Sequence, residues 1–165
     1  MTDDTLQIRL ATTADMDEVM RLAYMACEDN GFLDYSPELL AKEIYPALIQ
    51  DHGLFAVIGP PQGAIEGFVL LRIGTMFYST QKCLEEKCLW VHPDHRSAGG
   101  GRAKKLIDFT KKAADRLGLP LIIGIMTSKR TASKVRLYQR EFGEPAGAFF
   151  LYGAKCGTHK VETVS

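Results

Sequence analysis

The stretch that decides the fold is Leu89-Trp90-Val91-His92-Pro93-Asp94-His95-Arg96-Ser97-Ala98-Gly99-Gly100-Gly101-Arg102. An apolar run ends at Val91, a polar turn rich in glycine follows, and a helical pattern opens at Arg102. Strand, glycine turn and helix N-terminus together make a phosphate cradle. The first amides of a helix have no intrahelical acceptor, and the helix dipole places partial positive charge at that end. Glycines accept positive φ and let a phosphate approach with no Cβ in the way. Arg96 and Arg102 bracket the turn with two permanent cations suited to phosphate oxygens. Two other phosphate loops are excluded. The pattern Gly, four residues, Gly-Lys-Ser/Thr is absent. The dinucleotide pattern Gly-x-Gly-x-x-Gly fails because Lys104 stands where its third glycine belongs.

The rest of the chain sets the context of that loop. At 165 residues it is long enough for one domain with a substantial core. Hydrophobic residues make up 46% and charged residues 24%, the balance of a soluble globular protein. No apolar run approaches the ~18 residues of a membrane span. Met-Thr-Asp-Asp-Thr at the start lacks the basic and apolar segments of a signal peptide, so a cytoplasmic location is expected. Cys27, Cys83, Cys88 and Cys156 include no Cys-x-x-Cys pair and read as free thiols. His52, His92, His95 and His159 show no metal-ligand spacing, and no metal is expected. The net charge is zero, but residues 1–95 carry 15 acids and 6 bases while residues 96–140 carry 12 bases and 2 acids. The basic segment contains the glycine loop. It suits a polyanionic ligand, although Lys and Arg also commonly just solvate helix faces.

Patterning predicts a strand over Gln7–Ala11, then a Thr12-x-x-Asp15 capping box opening a helix that runs to about Asp29. Ser36-Pro37 opens a second helix, disturbed at Pro46. Leu54–Ile58 and Ile65–Ile73 are strands joined by a Pro60-Pro61-Gln62-Gly63 turn, and Cys83–Val91 is a fourth strand. After the loop, Ala103, Leu106, Ile107, Thr110, Ala113, Ala114 and Leu117 share one helical face, with Lys, Arg and Asp on the other. Leu119–Met126 reads as a buried strand, Arg130–Glu141 as a helix and Gly147–Tyr152 as a last strand.

Arg96, Gly99 and Gly101 spell Arg-x-x-Gly-x-Gly. This resembles motif A of the GNAT superfamily of acyl-CoA-dependent N-acetyltransferases, where that loop holds the pyrophosphate of coenzyme A. The element order over roughly residues 7–153 is also that of the GNAT fold. The fold class implied is α/β (α+β), a central mixed, mostly antiparallel sheet flanked by helices, as one domain spanning 1–165. Acetyl-CoA is the implied cofactor. Its implied contacts are Leu89, Trp90, Val91, Arg96, Ser97, Ala98, Gly99, Gly100, Gly101, Arg102 and Ala103, with Thr131 and Tyr138 on the next helix. The stretch Leu89–Gly101 with Arg136-Leu137-Tyr138 also looks like small GNAT proteins of bacteria and their phages.

Acetyl transfer from a thioester to an amine needs a neutral amine, a donor for the developing oxyanion and a proton for the departing thiolate. The resemblance implies that the oxyanion donor is backbone of Leu89, Trp90 or Val91, where the family's strand splays from its neighbour. It implies Tyr138, in the Leu137-Tyr138 pair, as the acid. A phenol with an ordinary pKa near ~10 keeps its proton above the titration of a thiol. Several family members place a base at the position of Glu85, eleven residues before Arg96, with Glu86 as its neighbour. Strand alternation lets only one of the two face a cleft. Both could instead be ordinary surface charges, and other members use water chains. The acceptor amine is expected near Glu28, Asp34, Tyr35 and Phe77, with Asp29, Glu38 and Tyr78 nearby. An acidic, aromatic mouth suits a cation.

Three readings compete. The first is an N-acetyltransferase acting on a primary amine, in a small molecule or a peptide, by direct attack in a ternary complex. The second is a non-catalytic coenzyme A or acyl-CoA sensor or interaction module. The third, a nucleic-acid binder using the basic segment, lacks any such motif, so no nucleic-acid partner is expected. No membrane partner is expected, and a homodimer is.

Overall fold

The computed structural model describes residues 6–96 and 101–154. Its first strand, β1 (Gln7–Leu10), leads into a short 3-10 turn at Thr13–Asp15 and helix α1 (Met16–Asn30). The Thr12 N–H donates to Asp15 Oδ2 at 2.9 Å, as the capping-box reading requires. Asp15 also takes two 2.8 Å hydrogen bonds from Arg9. The Arg9 hydrogen bonds outweigh desolvation and bring the Asp15 carboxyl down to about 2. α1 stops at Gly31, whose φ of +70° is left-handed and suits glycine. Ser36 caps α2 (Pro37–Leu48) by accepting from the Leu39 N–H at 3.3 Å.

Strands β2 (Gly53–Gly59), β3 (Gly67–Thr75) and β4 (Lys82–Val91) follow, then α3 (Arg102–Leu117), β5 (Leu121–Ile122) and α4 (Thr131–Phe142). The sheet runs β1-β2-β3-β4-β5. All neighbours are antiparallel except β4 and β5, which are parallel. Side chains alternate across it and feed two cores. Phe55, Val57, Phe68, Leu70 and Trp90 pack with Val19, Leu22 and Ile44 of α1 and α2. Ala56, Ile58, Val69, Leu71 and Leu84 pack with Leu106, Ala113 and Ala114 of α3. Ring stacking of Phe55 on Phe68, and of Phe68 against Trp90, carries the first core to the middle of the sheet, at centroid distances of 5.1 and 5.8 Å.

Two sequence expectations fail, both at the C-terminal end. Leu119–Met126 is not a fully buried strand. Only Leu121 and Ile122 pair with β4, and Ile122 and Met126 are exposed. A continuous apolar run predicts burial only where neighbours cover both sides, and β5 is the outermost strand. Gly147–Tyr152 forms no strand at all. A strand exists only through its ladder, and no described segment lies beside this one to supply it. Its aromatic side chains stand in solvent.

Candidate active site

The site grows from the place where the sheet splits. β4 and β5 are in register only at Leu84↔Leu121 and Glu85↔Ile122. Just beyond lies a β-bulge. Leu70 faces Cys88 and Leu71 faces Glu86, so Lys87 has no partner on β3. A bulge bends and twists its strand. From Glu86 to Val91 no described strand lies beside the outer edge of β4, and a cavity of about 480 Å³ opens there. Leu89, Trp90 and Val91 line it, as do Gly101, Arg102 and Ala103 at the start of α3 and Leu137 and Tyr138 of α4. Thus a row of β-strand backbone groups, a helix N-terminus and the expected tyrosine share one cavity.

The two glutamates separate as strand alternation demands. Glu85 turns to the surface and pairs with Lys87 at 3.0 Å. Glu86 reaches into the gap between the strands, where its Oε2 lies 3.4 Å from the Gly124 N–H, which donates to it. Desolvation there raises its carboxyl to about 7, against the opposing effects of Gly124 and the Lys134 ammonium. The Tyr138 phenol is pushed up by burial first and then by the charges of Glu86 and Cys88. Lys134, one helical turn before Tyr138, is held below its ordinary value by burial. Desolvation thus pushes both the Glu86 carboxyl and the Tyr138 phenol upward; Tyr138 lines the cavity, whereas Glu85 and Glu86 do not.

The two arginines that flank the loop are both committed to carboxylates. Arg102 is buried, and its Nε donates to Glu66 Oε2 at 2.6 Å. His95 Nδ1 lies 3.7 Å from the other oxygen of Glu66. Glu66 thus holds Arg102 after the loop and stands close to His95 before it. Arg96 donates to Asp29, and its Nε donates to the Val91 carbonyl at 2.8 Å. Its guanidinium also sits over the Trp90 ring, 5.7 Å from the centroid. Both arginines line the cavity, and each also has a carboxylate partner, as a cation this far out of water requires. Burial pushes the Asp29 carboxyl up, but hydrogen bonds from Arg96 and Trp90 prevail and leave it below its ordinary value.

Other cations line the cavity as well. Arg130 and Arg140 do so and make no ion pair among the described residues. Arg130 has a left-handed φ of +57°, an uncommon state for a residue with a side chain. Ser97, Ala98, Gly99 and Gly100 lie outside the described residues. Thr131 does not line the cavity; its hydroxyl donates to the Thr127 carbonyl at 2.8 Å. Neither do Glu28, Asp34, Tyr35 and Phe77. Tyr35 stacks on Tyr24 at 5.7 Å, and Phe77 is 98% exposed. Asp29 is the acid from that neighbourhood that reaches the cavity wall.

A family model described as the Acetyltransferase (GNAT) family matches residues 17–143. The chain belongs to the GNAT acetyltransferase family. Among solved structures it resembles a predicted acetyltransferase with acetyl-CoA from Clostridium acetobutylicum, at 12% identity and a TM-score of 0.69, covering 88% of this chain and 94% of that one. It resembles the aminoglycoside acetyltransferase meta-AAC0020 from an uncultured soil metagenomic sample, in complex with sisomicin, at 21% identity and a TM-score of 0.64, covering 93% and 99%. It also resembles a ribosomal-protein-alanine N-acetyltransferase from Brucella melitensis biovar Abortus 2308, at 18% identity and a TM-score of 0.63, covering 88% and 97%. None of the curated proteins matches it in sequence. As a GNAT acetyltransferase the enzyme draws on acetyl-CoA. The site fits that molecule. An unpaired strand edge suits an amide-bearing arm, and a helix N-terminus beside unpaired arginines suits a pyrophosphate.

Sequence reasoning missed Glu66, Lys134, Arg130 and Arg140. A signal existed for the first two. Glu66 is a lone acid at the start of an apolar strand, a place where a charge needs a specific partner. Lys134 precedes Tyr138 by one helical turn and so shares its face.

Proposed function

We propose that this GNAT enzyme transfers an acetyl group to a primary amine by direct attack, with both substrates held in the β4–β5 gap. The observation that supports this reading is the cavity at the open edge of β4, lined by Leu89, Trp90, Val91, the start of α3 and Tyr138, with Glu86 in the adjoining β4–β5 gap. Acetyl-CoA would supply the activated acetyl group. Glu86 Oε2 accepts the proton that the amine must shed, because a carboxylate near 7 is about half ionised at neutral pH. The free backbone N–H groups of the Leu89–Val91 segment hold the acyl carbonyl oxygen. Tyr138 Oη carries a retained proton to offer the sulfur. Arg130, Arg140 and the first amides of α3 hold phosphate oxygens.

The acceptor is a cationic amine. Asp29 brings negative charge to the cavity wall, although Arg96 and Trp90 already bind it. The two fold relatives with named acceptors differ, an aminoglycoside in one and a ribosomal protein alanine in the other. The test therefore offers the enzyme acetyl-CoA with sisomicin, an alanine-ended peptide and simple diamines, and follows thiol release. Release with at least one amine, cut by Glu86→Gln far more than by Glu85→Gln, supports the reading. Equal loss in the two variants contradicts the assignment of Glu86. Thiol release that no amine accelerates contradicts amine transfer.

A further inference from the structure

Lys104, Lys129 and Lys134 line the cavity. The first two are occupied. Lys104 Nζ lies 3.0 Å from an Asp108 oxygen, and Lys129 Nζ lies 3.7 Å from Asp29 Oδ1. Lys134 is half-buried, yet its nitrogen makes no ion pair and no hydrogen bond among the described residues. No described side-chain nitrogen is both sealed off and without a partner. The Lys134 nitrogen is therefore open to a small molecule.

Its place on α4 sets what it can reach. Arg130, Lys134, Leu137, Tyr138 and Glu141 all line the cavity, at the spacing of a single helical face. Lys134 stands one turn before Tyr138, a rise of about 5.4 Å. In the reaction proposed above, Tyr138 serves the sulfur of the thioester, and the carbonyl carbon is the next atom along. A primary amine on a flexible four-carbon stem, one turn away, can approach that carbon. To attack it, the amine must be neutral. Burial holds Lys134 below its ordinary value and Arg96 acts in the same direction, against Cys88, Asp29 and Glu86. An amine carried by the protein also needs no binding step, whereas a free acceptor must be gathered from solution.

We propose that Lys134 is a self-acetylation site: when the cavity holds acetyl-CoA and no acceptor amine, the enzyme acetylates this lysine. The proposal rests on the acetyl-CoA reading of the cavity given above. The ammonium first gives one proton to water. Nζ then attacks the thioester carbonyl carbon. The C–N bond forms and the C–S bond breaks. The second proton passes to the departing thiolate, and coenzyme A leaves as the free thiol. The product is a neutral amide, longer than the lysine it replaces and standing in the same cavity. Lys104 and Lys129 are poorer acceptors, because a carboxylate beside an amine favours its charged, non-nucleophilic form.

The test is the intact mass of the whole protein, with peptide mapping, after incubation with acetyl-CoA and no amine. Calorimetry on the same sample reports whether acetyl-CoA binds. The mass should rise by one acetyl group, and the map should place it on Lys134. Lys134 should react at least roughly 100-fold faster than the exposed Lys42 and Lys112, the advantage of an amine held beside the thioester. Excess coenzyme A should suppress the gain by competing for the cavity. Lys134→Arg keeps the charge and should abolish it. Acetyl-CoA that binds and leaves Lys134 unmodified overturns the proposal while the cofactor reading stands. So does acetylation spread evenly over the exposed lysines, or a gain in mass that survives Lys134→Arg. Acetyl-CoA that does not bind overturns the cofactor reading and this proposal together. If Lys134→Arg fails to fold, the peptide map of the unaltered protein, with and without excess coenzyme A, decides alone.

Discussion

The two sides of the active-site gap are built very differently. On one side, β1 to β4 with α1 to α3 form a sheet covered on both faces. Phe55, Phe68, Leu71, Leu84, Leu106 and Ile107 are all almost fully buried there. On the other side, β5 is two residues long, α4 has no fully buried residue, and the last described segment is largely exposed. Glu86 belongs to the first side and Tyr138 to the second. In the proposed reaction the chemistry sits on the seam between these two sides. A gap that must admit a long cofactor arm needs a rigid edge to hold it and a neighbour that does not seal it. The sheet provides the first, and the early divergence of β4 from β5 provides the second.

That contrast can be broken from its strong side first. Phe68→Ala empties a buried ring site between Phe55 and Trp90 and should lower stability by about 3–5 kcal/mol, a large share of a domain's total. Urea denaturation measures it, and a loss below ~1 kcal/mol would show the scaffold to be looser than its burial implies. Glu66→Gln comes next. It leaves the buried Arg102 guanidinium without its ionic partner and should remove about 3 kcal/mol. It should also weaken acetyl-CoA binding, since Arg102 after the loop loses its anchor and His95 before it a close neighbour. Unchanged affinity in a folded variant would separate Glu66 from the cofactor site.

Glu86→Gln tests the seam itself. With its carboxyl raised to about 7, Glu86 is protonated at pH 6 and cannot accept a proton there. The wild-type rate should therefore climb with pH up to a bend near 7 and then level. That bend lies well below the ordinary titration of a primary amine, about 10.4 for lysine, so the two limbs can be told apart. The variant should lose the lower bend and about 100-fold or more in kcat. The smallest effect belongs to the open side. Leu137→Ala on α4 removes a half-covered side chain and should lower stability by less than about 1 kcal/mol, since the transfer term scales with area buried. Comparing it with Phe68→Ala sets the size of the contrast.

How much of this was legible in the sequence follows the same divide. Strand alternation in β2 and β3 and the amphipathic face of α3 are local patterns, and the structure keeps them because a core on each face rewards the same period. The glycine loop between β4 and α3 marks the site for the same reason, since the residue order alone places a helix N-terminus after a strand. Leu119–Met126 and Gly147–Tyr152 misled because their apolar runs record a need for partners without recording where those partners are. The partners of the two arginines were hidden in another way. Asp29 and Glu66 lie 67 and 36 residues from Arg96 and Arg102 and meet them only in the folded sheet. The bulge that leaves Lys87 without a partner on β3 is likewise announced by no local pattern.

The central claim, that the open edge of β4 receives acetyl-CoA, can be read from one side chain. Trp90 is the only tryptophan of the chain; it lines the cavity, donates to Asp29 at 2.8 Å and lies beneath Arg96. Acetyl-CoA added to the purified protein should change its fluorescence saturably, free coenzyme A should do the same, and ATP at equal concentration should not. A fluorescence signal and a titration heat that both stay flat up to millimolar acetyl-CoA would contradict the account.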